Sequence, residues 1–258
     1  MPCQPPAPKP PPSFPAYADN AFQPSLQLAQ MAWTDGLTLT YDVTSNDGTN
    51  VTTLVRQASF HYQVSSNEWH LLLQSLDSNG TVTSSDEIVF DKAFGLASED
   101  SSQTAQIPGQ PPLAVQYHAA YDIPGRSITV SGMVGTQPVA TAKFGMANGA
   151  IQFVAAESWM FRLMAFDLAV DSSGNFARSD IRVTSTNYTN WARFVPQVAR
   201  VLGLDQITLG GVPVTALKVS VSDEQFIATV WIENAAPRRL LRCEQRTTDN
   251  IQIAMQIR

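Results

Sequence analysis

From Gly36 onward the apolar residues of this chain recur at every second position, and that period fixes the kind of fold it can enter. Leu37, Leu39, Tyr41 and Val43 alternate with Thr38, Thr40 and Asp42. Successive side chains of a strand point to opposite faces, so such a run makes a strand with one buried face. It stops at Asn46-Asp47-Gly48, a strong hairpin signal. The chain returns through Asn50–Val64, continues over Asn67–Leu76, turns at Asp77-Ser78-Asn79-Gly80 and runs through Thr81–Phe90. A loop is predicted from Asp91 to Pro112, after which Leu113, Val115, Tyr117, Ala119 and Tyr121 share one face. Pro124-Gly125 leads into Ser127–Val134, then Pro138–Phe144, and Asn148-Gly149 into Ala150–Ala155. Near the C-terminus Leu217, Val219 and Val221 alternate with polar residues, and Phe226, Ala228, Val230 and Ile232 share a face. Asn234 to Pro237 forms a turn, Arg238–Arg246 returns, and Ile251, Ile253, Met255 and Ile257 alternate once more. Strand after strand joined by short turns predicts an all-β, mainly antiparallel fold rather than βαβ units. No internal repeat emerges.

Two segments depart from the period of two. Glu157–Val170 is apolar on nearly every side, and Trp159, Leu163 and Phe166 at helical spacing favour a short helix laid against the sheet. Trp191–Leu202 places Trp191, Val195, Val198 and Leu202 on one helical face behind Asn190 as cap, with Pro196 as an internal obstacle. Ahead of the strands, eight of the seventeen prolines fall within residues 1–15. That stretch favours an extended polyproline II rod. The expected organisation is a proline-rich tail (1–15), a cover segment or short helix (16–34) and a single antiparallel β domain (35–258). The tail is either a stiff spacer or a segment that docks on a partner, and Pro5, Pro6, Pro8, Pro10, Pro11 and Pro12 are its candidate contacts.

Charge narrows the partners. Charged residues make up 15% of the 258, with four lysines against twelve arginines, and the net charge is −6. Residues 1–120 hold 11 acidic and 3 basic groups, hence −8; residues 121–258 hold 11 acidic and 13 basic, hence +2. A nucleic-acid surface needs clustered basic residues. The one cluster is Arg238, Arg239, Arg242 and Arg246, which reads first as a solvated sheet face and second as an anion site. Two cysteines, Cys3 and Cys243, exclude a disulfide scaffold and a four-cysteine zinc site. Cys243 reads as a buried inert thiol. Cys3, before the proline tail, has the place of a lipid-anchored cysteine. No run reaches the ~18 apolar residues of a membrane helix.

Catalytic signatures are missing: there is no nucleophile elbow, zinc-protease helix, phosphate loop or dinucleotide fingerprint. His61, His70 and His118 each sit within a strand, and His61 and His70 are placed to oppose each other, without a third metal ligand. Asp86-Glu87 and Glu99-Asp100 read as solvated loop or edge charge. The chain is expected not to be an enzyme and to need no cofactor or metal. The candidate ligand contacts are Trp159, Phe161, Leu163 and Phe166 of the apolar segment, with Trp191 and Trp231.

The C-terminal strands carry a resemblance. Ala216-Leu217-Lys218-Val219, Phe226-Ile227-Ala228-Thr229-Val230-Trp231-Ile232-Glu233 and Pro237-Arg238-Arg239-Leu240-Leu241-Arg242 resemble the closing hairpin of bacterial extracytoplasmic half-barrel domains. These form the LolA/LolB-like lipoprotein-carrier superfamily and related families of unknown function. Ser85 to Asp91 and the hydrophobic segment Trp159–Leu168 are loosely similar. The resemblance implies a strongly curved sheet or half-barrel, with one or two short helices packed against it and an apolar concavity. The function it points to is an exported, non-catalytic module that holds an apolar or lipid-like ligand or docks a partner. It would stand in the periplasm or at the cell surface, with a lipid, a lipoprotein or another envelope protein as partner. The alternative is a structural subunit of a surface or filamentous assembly that self-associates through its N-terminal tail.

Overall fold

A computed structural model describes residues 33–91, 95–105, 112–146, 152–155, 158–166, 168–184, 189–235 and 238–258. The first half is a meander of β1 (Thr38–Asn46), β2 (Val51–Gln63), β3 (Glu68–Leu76), β4 (Val82–Phe90), β5 (Leu96–Ala105), β6 (Leu113–Asp122), β7 (Ser127–Val134) and β8 (Gln137–Gly145). Then come β9 (Gln152–Val154), the helix α1 (Trp159–Leu163), β10 (Ser173–Thr184), β11 (Thr189–Leu209), β12 (Val212–Ser222), β13 (Phe226–Glu233), β14 (Leu240–Thr247) and β15 (Gln252–Ile257).

Among the described residues, fifteen strands join one sheet in the order β8-β7-β6-β5-β4-β3-β2-β1-β15-β14-β13-β12-β11-β10-β9. Each neighbouring pair is antiparallel except β9 and β10. A parallel pair needs a crossover instead of a hairpin, and the chain between β9 and β10 is the segment that carries α1. The sheet curls until its two ends meet, with β7 and β8 against β11 and with β6 and β7 against β10. The fold is a strongly curved, nearly all-β sheet, as the alternation requires.

Turn chemistry sets the register. Between β1 and β2, Asp47 Oδ1 accepts from the backbone N–H of Thr49 (2.8 Å) and Asn50 (2.7 Å). Gly48 takes φ of 90°, a conformation that side chains with a Cβ rarely adopt. Hydrogen bonds, led by that from the Thr49 hydroxyl, hold the Asp47 carboxyl well below the usual carboxylate range. The inner face then buries Leu39, Tyr41, Ala58, Phe60, Leu71, Leu73, Ile88 and Phe90 in one continuous core.

Two expectations fail here. The loop predicted from Asp91 to Pro112 contains β5, paired with β4 and β6 along its length. Its sequence, Leu-Ala-Ser-Glu-Asp-Ser-Ser-Gln-Thr-Ala, has few β-forming side chains, so the neighbouring strands and not local propensity make it a strand. The helix predicted over Trp191–Leu202 is part of the 21-residue strand β11. The helical spacing there is a coincidence of Trp191, Val195, Val198 and Leu202, while burial of Val195, Gln197, Ala199 and Val201 follows the period of two. Pro196 is tolerated because β12 pairs only from Val198 onward, leaving β10 as the one strand paired with β11 at that point among the described residues.

Candidate functional site

The helix α1 and the residues after it pack into the core on the inner face of the curled sheet. Five residues are too few for a self-supporting helix, and Ser158 at the N-cap makes no side-chain capping bond. Burial holds it instead. Trp159, Phe161, Leu163 and Phe166, four of the candidate ligand contacts, are all buried, each worth about 1.5–3 kcal/mol of burial. Phe161 meets Tyr41 edge-on at 5.8 Å, and its carbonyl accepts the Trp33 indole N–H at 3.3 Å. The Arg162 guanidinium is buried with them, over the rings of Phe166 (4.7 Å) and Phe90 (5.3 Å). Burial lowers it to about 9, opposed by the charge of Asp91, so it stays protonated at neutral pH.

Trp231, a fifth candidate, lies on the opposite face of the sheet. There it packs with Ile207, Ala216 and Leu241, and its indole donates to Asp205 at 3.0 Å. Trp191 is paired through its backbone with Arg182 in β10, and its side chain is outside the described residues. The proline contacts proposed for the tail, with Cys3 and residues 16–32, also fall outside them.

Beside the helix lies a partly open cavity of about 230 Å³, at the end of the inner face of β13, β14 and β15. Trp159 and Met160 form its helix side, with Trp159 stacked on Phe226 at 5.2 Å and 29°. Cys243 and Met255 supply apolar floor. Burial pushes the Cys243 thiol up to about 12, the inert state expected from its sequence.

Arg178 from β10 and Arg56 from β2 bring charge to the wall. Arg178 is held from behind: its Nε donates to Asp223 Oδ2 (2.8 Å) and its Nη2 to Gln225 Oε1 (2.6 Å). Asp223 in turn accepts the backbone N–H of Gln225 (2.7 Å) and Phe226 (3.1 Å), closing the turn between β12 and β13. Two larger hollows, of about 630 and 540 Å³, are open and lie on outer faces of the sheet.

A second polar cluster sits inside the roll. Glu99, read from sequence as solvated, is completely buried, and Asp86 is 5% exposed. The correction follows from β5: alternate residues of that strand face inward, so Glu99 enters the interior while Asp100 stays outside. Glu99 accepts the phenol hydroxyls of Tyr117 (2.8 Å) and Tyr121 (2.9 Å), and Tyr121 also stands 2.9 Å from Ser179 Oγ. Asp86 accepts from Ser101 at 2.6 Å. Burial first, and the Glu99 charge second, raise both phenols well above their usual range.

His61 and His70 do oppose each other across β2 and β3. Each pairs with a carboxylate at 2.8 Å, Asp35 and Glu87 respectively, as His118 does with Asp100. Among the described residues no group of three or more His, Cys, Asp or Glu is placed to hold a metal ion.

The arginine cluster is engaged locally: Arg238 donates to the Phe166 carbonyl (2.8 Å), Arg239 grips Glu233 with two nitrogens, Arg242 meets Glu244, and Arg246 meets Asn250. Sequence reasoning missed Arg178, Gln225 and Phe226 as cavity residues. The Asp223-to-Phe226 turn that places them was visible only as the gap between two strands.

No family model and no curated protein matches the chain. Among solved structures it is similar to the crystal structure of a beta-barrel-like protein of domain of unknown function DUF1849 from Brucella abortus. The TM-score is 0.54 at 9% identity, over 87% of this chain and 97% of that one. At that identity the likeness shows the fold alone. It supports the barrel-like architecture and does not name a lipoprotein carrier. No helix of the described residues is long and apolar enough to cross a membrane.

Proposed function

We propose that this chain is an exported, non-catalytic binding module that takes a small, partly apolar ligand into the cavity between α1 and β13–β15. The observation that carries the reading is that cavity of about 230 Å³, walled by Trp159, Phe226, Cys243 and Met255. Its volume lies below the ~300–1,000 Å³ of common small-molecule sites. A cavity of that size holds one short chain or ring rather than a whole lipid. The barrel-like fold favours binding over chemistry, and the interior acids Asp86 and Glu99 are tied to hydroxyl donors.

The test is titration of the full chain with medium-chain alcohols and acids, followed by tryptophan fluorescence, because Trp159 lines the wall. Saturable one-to-one binding is expected, and Thr247→Trp at the cavity edge should abolish it while leaving the fold intact. Absence of saturable binding across the panel would remove the reading. Fractionation of native cells tests export directly.

A further inference from the structure

We infer that the ligand taken by this cavity is an amphiphile with one anionic head, a carboxylate or a phosphate, received by the free edge of Arg178. This rests on the cavity reading above and adds the chemical class. Arg and Lys are almost never fully buried unless their donors are met. Arg178 is only 5% exposed, and two of its five N–H donors are spent on Asp223 and Gln225. Nη1 meets no acceptor among the described residues, and the residue lines the cavity.

The guanidinium is fixed before any ligand arrives. Gln225 presents Oε1 to Arg178 because its own amide nitrogen donates to Asp180 Oδ2 at 2.9 Å. The Phe226 ring supports the guanidinium face at 5.4 Å. A planar fork locked in this way is suited to a carboxylate or phosphate oxygen pair.

The charge of the wall agrees. Among the described residues, Arg56 and Arg178 are the charged side chains that line the cavity, and no carboxylate lines it. Asp223 balances Arg178 from behind, so the attraction is one of contact and direction, and a poorly hydrated site strengthens it. The apolar part of the ligand then lies along Trp159, Phe226 and Met255. The volume admits one short chain, and a cationic head in the same place would meet two guanidinium groups.

The experiment titrates the full chain with decanoate, decyl phosphate, 1-decanol and decyltrimethylammonium by calorimetry. At least one of the two anions should bind about tenfold or more tightly than decanol, as one charge-assisted hydrogen bond allows, and the ammonium should not bind. Which anion binds tighter identifies the head as carboxylate or phosphate. The double variant Arg178→Gln with Asp223→Asn leaves no buried charge unpaired. It should bring the anions down to the affinity of decanol without changing decanol itself.

Equal binding of anions and decanol by the wild-type chain overturns the anion assignment and leaves the cavity reading standing. So does a double variant that keeps the preference. Failure of all four ligands to bind overturns both readings. The wild-type comparison decides even where the double variant does not fold.

Discussion

Glu99 is a carboxylate with no exposure at all, in a strand made mostly of serine, alanine and acid. Two phenols supply the hydrogen bonds that water would otherwise give, and one of them, Tyr121, passes the connection on to Ser179 across the closing of the roll. A buried acceptor that loses its donor bears a desolvation cost. Tyr121→Phe should therefore lower unfolding stability by about 1–3 kcal/mol in urea titration. Combining it with Glu99→Gln should be non-additive, as in any shared network. A loss below about 0.5 kcal/mol would mean that the cluster is satisfied by other means. In the sequence, Glu99 and Asp100 are indistinguishable. Only the register that faces Ser101 toward Asp86 and Asp100 toward His118 separates a core acid from a surface one. The inertness of Cys243 was legible, because Leu240 and Leu241 beside it already mark a buried stretch.

At the scale of the element, legibility follows how much of a segment's conformation is decided locally. Hairpins closed by Asn46-Asp47-Gly48 and Asp77-Ser78-Asn79-Gly80 were readable, since the turn residues themselves dictate the backbone. The apolar segment was readable as a short helix. β5 and β11 were not, because one lacks strand-forming residues and the other mimics a helical stripe.

At the sheet edge, β8 carries Pro138 and Lys143, two residues that discourage another chain from adding a strand. Replacing both by valine should produce concentration-dependent association, visible as a shift in mass by light scattering. A variant that stays at the wild-type mass over the same range would show that the packing of β8 against β11 already blocks that edge. The bend in β11 has its own device. Its register shifts between Val201 and Gly203, where Gly203 adopts φ of 133°, and this lets one long strand follow the curve of the roll.

The whole molecule is organised around a seam. β1 and β15 pair from Tyr41 with Ile257 to Asn46 with Gln252, in the middle of the sheet order. On one side lie β2–β8 and on the other β14–β9, so the pairing joins two half-sheets. Arg258 continues the joint by donating to Asp42 at 2.7 and 2.8 Å. From within the core, Tyr41 bridges past β15 to the Leu240 carbonyl at 3.0 Å.

Removing residues 252–258 should abolish the cooperative thermal transition in circular dichroism, an effect far larger than the burial of Met255 alone would give. A truncated chain that still melts sharply near the wild-type temperature would show that the halves fold separately.

The seam also dictates an order in time. Each half-sheet can grow hairpin by hairpin as the chain is made, because its neighbours in space are neighbours in sequence. The joint cannot, since Asp42 and Arg258 stand 216 residues apart. Contacts of that separation are slow to form. Until the last strand arrives, β1 waits with an open edge and an uncovered apolar face, the part of this molecule most in need of protection while it is being made.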